Sequence, residues 1–311
     1  MAGNAPKIKN AKKSRKKKDE LTQINEQIES LIKKWIEVRD GIPCLSLLID
    51  PRLIDATLID DVYDELRENF TEDDGRLDVI VHSGGGDIDA AYNLAQLLRR
   101  YGSKHLAFIV PRWAKSAATM LVCAGDKILM TPVAELGPLD PQITEMNPLE
   151  GRLERFSPLH IDSTLQLIRD EYSSGNAKLA EGLLQRLQFP LTLGKYRWAI
   201  KIGREYITKL LSSRMLKNKK DVVEDIAQNL TTGFADHAYC IGLEEAQKLG
   251  LAAEELTKEQ TDIIWKLYRL AERRHELIKK KREEKTRKRL RDLPPEIREL
   301  IPDLIDQRKK E

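Results

Sequence analysis

Apolar residues first fall into a regular pattern at Leu21, Ile24, Ile28, Leu31, Ile32 and Trp35, inside the stretch LTQINEQIESLIKKWIEVRD. Steps of three and four residues bring these side chains to one side of a helix, and such a stripe needs a partner surface. From Pro43 to Leu136 the pattern changes. CLSLLID (44–50), LDVIVHS (77–83), HLAFIV (105–110) and KILM (127–130) read as strands, and helical spacing fits 57–69, 87–101 and 116–124. Strands separated by helices of this length predict βαβ units with right-handed crossovers and a mostly parallel sheet. After residue 161 the pattern is helical: IDSTLQLIRDEY, AKLAEGLLQRL, a long run from Leu193 to Leu216 entered through Pro190, then 221–230 and LEEAQKLG, with Gly250 as a C-cap. Beyond Thr257 a charged helix leads to Pro294, Pro295 and a last short helix, and no internal repeat is visible.

Charge divides the chain further. Residues 1–20 carry about +6 and residues 279–291 about +7, so a net charge of +3 leaves about −10 on the remainder. Residues 1–20, almost without apolar side chains, are expected to form a disordered basic tail. Residues 21–42 form a helical arm, 43–256 the main α/β domain, and 257–311 a basic helical tail. Such basic ends suit solvated surfaces, and they also offer a site for nucleic acid or an anionic membrane surface. They lack the interleaved aromatics of a nucleic-acid module.

Cys44, Cys123 and Cys240 are odd in number, far apart and without a CxxC pair, which favours a reducing compartment and argues against a zinc site or a disulfide framework. No stretch reads as a signal peptide or a transmembrane segment, and the expected location is cytoplasmic.

Ligand groups in parallel sheets gather at the carboxyl ends of strands, where both SGGGD (83–87) and WAKSAAT (113–119) fall. Gly84, Gly85 and Gly86 leave backbone N–H groups uncovered in conformations that side chains forbid. A phosphate cradle, an oxyanion hole and a plain tight turn compete for this loop. Neither a Walker pattern nor GxGxxG is present, which counts against the first. Ser116 opens the helix AATMLVCAG. It is either that helix's N-cap or a nucleophile with the Ala117 N–H beside its hydroxyl.

SGGGD followed by AKSAATMLVCAGDKILMTPVAELGPLDPQI resembles the Clp-type/crotonase-fold serine peptidases, and within them the serine dehydrogenase proteinase family, related to signal peptide peptidase A. The resemblance runs through residues 43–252 and ends in HAYCIGLEEAQKLGL; LGPLDPQ (136–142) is its most specific piece. It implies a Clp/crotonase-like fold of stacked ββα turns with a mostly parallel sheet, a nucleophile at Ser116, an oxyanion hole from Gly84, Gly85 and the Ala117 amide, and a ring-like or stacked homo-oligomer.

A serine hydroxyl needs a base within hydrogen-bond reach. Clp-type proteases carry a histidine about 25 residues after the serine, where this chain has LGPLDPQ. Related membrane peptidases use a lysine roughly forty residues downstream, and in the corresponding FSPLHIDSTLQLI stands His160. An imidazole with a pKa of about 6.5 suits this task at neutral pH, so His160 is the candidate base, against the plainer reading of a packing histidine. The family's acidic partner position falls on Ala238, which cannot orient an imidazole. Its neighbours Asp236 and His237 are candidates, Asp236 the better one unless it serves a local turn, and Asp162 is a weaker alternative. Lys115 adjoins the serine, and neighbours at a strand-to-helix turn tend to point apart.

The expected activity is a serine peptidase acting on peptide or protein substrate by acyl transfer, with no cofactor and no metal. A crotonase-like acyl-thioester enzyme that binds coenzyme A and a catalytically silent oligomeric scaffold are the alternatives. Trp113 is placed to line a groove or to pack, and Tyr196, Trp198 and Tyr206 suggest a packing or oligomer face.

Overall fold

The computed structural model describes residues 19–49, 51–139, 143–147, 152–156, 158–186, 190–234, 236, 238–291 and 293–294, with 143–147, 152–156, 158–162 and 190–197 described by the backbone alone. The chain divides into two compact units: Ile32–Tyr268, and Met1–Leu31 with Arg269–Glu311. In the second, Arg273 pairs with Glu20 at 3.0 Å, Lys281 with Asp19 at 2.7 Å, and Arg274 Nε donates to Asn25 at 2.9 Å. These pairs are exposed to water, which screens them, so each contributes little.

The larger unit is built on a five-stranded parallel sheet. In chain order its elements are α1 (Glu20–Val38, of which it holds residues 32–38), β1 (Cys44–Leu48), α2 (Ala56–Asn69), β2 (Arg76–His82), α3 (Ile88–Tyr101), β3 (His105–Val110), β4 (Trp113–Ala114), α4 (Ala117–Val122), β5 (Lys127–Met130) and β6 (Glu135–Leu136). There follow β7 (Ile143–Asn147), β8 (Arg152–Phe156), α5 (Pro158–Ser173), α6 (Ala177–Arg186), α7 (Pro190–Ser213), α8 (Lys220–Thr232), α9 (Leu243–Lys248), β9 (Ala253–Glu255) and α10 (Lys258–Arg291, of which it holds residues 258–268). The strand order is β1-β2-β3-β5-β9, all parallel. The four central apolar runs are the predicted strands. Their side chains are buried on both faces of β2 and β3, as a covered parallel sheet requires.

Helices α2 and α3 start where acidic side chains satisfy their first N–H groups: Asp55 accepts from Leu58 and Asp87 from Ala90. Leu58, Val62 and Leu66 of α2, and Ala91, Leu94 and Leu98 of α3, then fall at three- and four-residue steps on the buried side. Gly250 ends α9 at positive φ (+95°), with the Leu251 N–H returning to Ala246 O.

A second row of short pairings runs beside the main sheet. Ile54 pairs with Gly86, Ser83 with Ala114, β4 with β6, and Leu136 with Ile241. Each turn of chain therefore passes through a main strand and a short strand before its helix. This is the stacked ββα spiral of the Clp/crotonase-like fold. The short strands, together with the β7–β8 hairpin and β9, were beyond the reach of hydrophobic periodicity. Segments of two or three residues display no period, and Ile143–Asn147 and Arg152–Phe156 are too polar to read as strands.

Gly86 is required by this second row. Its φ is +149°, and a Cβ there would meet Ile54 O at 2.2 Å and Ile54 N at 2.5 Å. Both Ile54 atoms are tied down: the Ile54 N–H donates to Gly85 O, and Ile54 O accepts from the Asp87 N–H, each at 2.8 Å. Gly86→Ala is therefore expected to lose about 2 kcal/mol or more, read as a lower urea midpoint. An unchanged midpoint would contradict the close approach.

At the opposite end of the sheet, Asp78 on β2 is fully buried. It accepts from Trp35 Nε1 at 3.0 Å, Arg39 Nε at 2.7 Å and His105 Nε2 at 3.4 Å. Burial alone would raise this carboxyl, but the hydrogen bonds and charges of His105 and Arg39 outweigh it and hold it below the ordinary aspartate value. Burial, and after it the same carboxylate, pushes the Cys44 thiol well up.

Candidate active site

Ser116 stands between β4 and α4. β4 is held against the end of β2, where the Ser83 N–H donates to Trp113 O at 3.2 Å and the Lys115 N–H to Ser83 O at 3.0 Å. The chain must then turn sharply into α4, all six residues of which are buried. Ser116 takes up that turn with φ 51° and ψ −123°, a conformation that L-residues rarely adopt. It occupies the N-cap position by backbone, its carbonyl accepting from the Thr119 and Met120 N–H groups, yet its hydroxyl makes no cap bond. The side chain is half-buried and stays accessible. A strained serine at a strand-to-helix turn, with its hydroxyl not used by the helix, has the form of a nucleophile elbow.

The glycine loop lies against this turn. Gly85 has φ +106°, and a Cβ there would sit 2.8 Å from Lys115 O, 2.9 Å from Ser116 Cβ and 3.3 Å from the Ala117 nitrogen. Only a glycine lets the two backbones approach this closely. At the first position of α4 the Ala117 N–H has no intrahelical acceptor. The Gly85 N–H donates to Ser83 Oγ at 3.1 Å. Gly86 is paired with Ile54 through the neighbouring peptide groups, which turns its own N–H away from Ile54.

Residues 136–139 close over the start of α4. Thr119 Oγ1 lies 2.7 Å from both Ala114 O and Gly137 O and accepts from the Gly137 N–H at 3.1 Å. The Leu139 N–H reaches Leu230 O at 2.7 Å. Lys115 ties the same segment to the 239–241 stretch: its Nζ donates to Leu136 O at 3.2 Å and Tyr239 O at 3.3 Å, and pairs with Glu135 at 3.3 Å. Burial would raise the Glu135 carboxyl, but Cys240 and Lys115 hold it low.

Thiol chemistry is disfavoured at this site. Its hydrogen bond to Glu135 raises the Cys240 thiol, and burial pushes Cys123 up to about 12.

The structure brings Ser116, Gly85 and Ala117 together, with Gly84 in the same loop. Asp236 is exposed and serves its own turn, its Oδ1 accepting from the Ala238 N–H at 2.9 Å and its carbonyl from the Tyr239 N–H at 3.1 Å. His160 lies in the first turn of α5, and its side chain and that of Asp162 are outside the described residues, as is His237. Trp113 packs on the buried His82 ring, centroids 4.4 Å apart, and Tyr268 meets His82 at 4.8 Å. Among the described residues, no group of three His, Cys, Asp or Glu could hold a metal ion, and no helix is long and apolar enough to cross a membrane. Sequence reasoning missed Ser83, Thr119 and Glu135. Ser83 and Thr119 act through main-chain partners, and Glu135 through the Lys115 and Cys240 side chains, pairings that a linear pattern does not reveal, although the serine heading SGGGD was in view.

Two uncharacterized proteins of Methanocaldococcus jannaschii are similar to this chain. MJ0137 is 26% identical over 63% of this chain and 59% of its own length, and MJ1495 is 27% identical over 69% and 62%. The chain thus spans about three fifths of the length of these curated relatives. Among solved structures, a mutant of the 1510-N membrane-bound stomatin-specific protease in complex with a substrate peptide aligns with a TM-score of 0.42 and 15% identity, covering 70% of this chain and 76% of that one. ClpP1 from Listeria monocytogenes aligns with a TM-score of 0.39 and 15% identity, covering 74% and 99%. The family model for the ClpP-like SDH-type serine proteinases matches residues 4–168, which include the glycine loop, Ser116 and the LGPLD segment. With the glycine turn and the strained serine lying side by side inside the matched region, this chain belongs to the ClpP-like SDH-type serine proteinase family.

Proposed function

We propose that the protein is a serine peptidase that cleaves peptide or protein substrate by acyl transfer through Ser116. The observation that carries this reading is the Ser116 backbone, held at φ 51° beside Gly85 with its hydroxyl free of the helix it begins. Holding an L-residue there costs on the order of 1–3 kcal/mol. An ordinary cap would relax into the extended conformation and bond the N–H groups it serves.

In the proposed reaction the Ser116 Oγ attacks the substrate carbonyl and a base takes its proton. The tetrahedral oxyanion is held by the Ala117 N–H and the amides of the Gly84–Gly85 turn. The Gly85 N–H serves only when it leaves Ser83 Oγ, and the neighbouring Gly86 N–H supplies a further donor in the same turn. Return of the proton to the leaving amine completes acylation, and water repeats the sequence to release the acyl group. His160 is the proposed base because it follows Ser116 at the entrance to α5, and of the proposed orienting residues His237 ranks ahead of Asp236, whose Oδ1 serves its own turn. A homo-oligomer is the proposed assembly, and the basic ends remain candidates for nucleic acid or an anionic surface.

Labelling with a fluorophosphonate probe followed by peptide mapping tests nucleophile and activation together. Modification is expected on Ser116. His160→Ala should slow labelling by about 10² to 10⁴-fold without changing the site. A probe that leaves Ser116 unmodified in the folded protein counts against the peptidase, and unchanged labelling in the His160 variant moves the base elsewhere.

A further inference from the structure

A cleft of about 740 Å³ lies between α3, the C-terminal half of α7 and the start of α8, and three cations line it: Arg99, Lys209 and Lys220. We propose that this cleft binds a small phosphorylated molecule, with Lys209, Lys220 and Arg99 holding its phosphate. The proposal stands independently of the peptidase reading.

The charges around the cleft do not balance. Glu224 is the lining carboxylate, and it is taken by Arg204 at 2.6 Å and Thr208 Oγ1 at 3.3 Å. Neither the Lys209 nor the Lys220 ammonium makes an ion pair among the described residues; Lys209 Nζ stands 6.0 Å from the Tyr206 ring centroid. Arg99 is half-buried, and its acceptors are neutral: Nε donates to Ala124 O at 2.9 Å, one terminal nitrogen to Leu210 O at 2.7 Å and the other to Ser213 Oγ at 2.8 Å. The nearby Asp126 carboxylate is held instead by Arg214, at 2.6 and 2.8 Å. Burial first, and then Arg214, lowers the Arg99 pKa to about 10.

Three positive groups converging on one hollow match a phosphate dianion better than a single carboxylate, since phosphate presents more acceptor oxygens and more charge. The hollow's volume is that of a small-molecule site.

The experiment is isothermal titration of the full chain with inorganic phosphate at constant ionic strength, chloride being the compensating anion. Saturable binding of one phosphate per chain is expected. The double variant Lys209→Ala/Lys220→Ala should weaken it by about tenfold or more, while Lys209→Arg/Lys220→Arg should retain it and Lys266→Ala, on an exposed face of α10, should leave it unchanged. Both lysines of the pair are exposed, so circular dichroism should show the folded chain in every variant. Absence of saturable phosphate binding, or an equal loss in Lys266→Ala, would overturn the proposal. So would a single-stranded oligonucleotide that displaces phosphate and needs the same two lysines, since it would identify the cleft as part of a nucleic-acid surface.

Discussion

Replacing Ser116 with alanine is expected to lower peptide hydrolysis by about six orders of magnitude while the fold is retained. The hydroxyl makes no bond that the helix depends on, so its removal leaves the α4 hydrogen bonds in place. A second substitution separates a nucleophile from a structural residue more sharply. Ser116→Gly should abolish activity and also raise stability by about 1 kcal/mol, because glycine adopts φ 51° without the penalty a serine bears there. Turnover and urea midpoints for wild type, Ser116→Ala and Ser116→Gly decide the matter. A glycine variant that unfolds more easily would mean that the hydroxyl holds the turn together. An alanine variant that still turns over would remove Ser116 from the chemistry.

The second large effect is on stability. Asp78→Asn is expected to cost about 3–5 kcal/mol, since it takes from the Arg39 guanidinium the buried carboxylate it is hydrogen-bonded to. The effect has a pH signature. The folded Asp78 carboxyl titrates below its ordinary value, so its contribution is complete above the unfolded value of about 3.9 and is lost as pH falls through the lower, folded one. Wild-type stability should therefore drop on acidification below that point, and the Asn variant should show a shallower fall. Chemical denaturation at a series of pH values measures both. Equal acid slopes in the two proteins would show that the clamp does not titrate as proposed. Trp35, fully buried and bonded to Asp78, offers a local fluorescence readout.

The strands that carry the core were legible because β2 and β3 are apolar on both faces, so a short continuous run was enough to mark them. The helices α2 and α3 were legible from their periodicity, whereas the capping of their first turns by Asp55 and Asp87 was seen only in the structure. At the site, SGGGD and Ser116 were readable because glycine and serine at the ends of strands point to uncovered amides and a turn. Less was legible about how the turn is held. Thr119 looks like an ordinary residue of an apolar helix until Ala114 O and Gly137 O are seen on either side of it. Lys115 reads as a possible base from its position alone, whereas its ammonium is engaged by Glu135 and two main-chain carbonyls. The second row of pairings escaped notice for the same reason: each of its strands is a residue or two, and its order comes from the neighbours rather than from its own pattern.

The amino-acid sequence by itself determined the alternation of strand and helix, the acidic body between basic ends, and the two short segments that make up the candidate site. These depend on local preference and on which residues avoid water, and both are properties of the chain read in order. Only the tertiary structure decided that Gly85 lies against Ser116, that the serine is held at positive φ, and that Arg99, Lys209 and Lys220 share one cleft with too little negative charge. Those facts arise from segments distant in sequence being pressed together by the packing of the sheet and its helices, and no local signal encodes them.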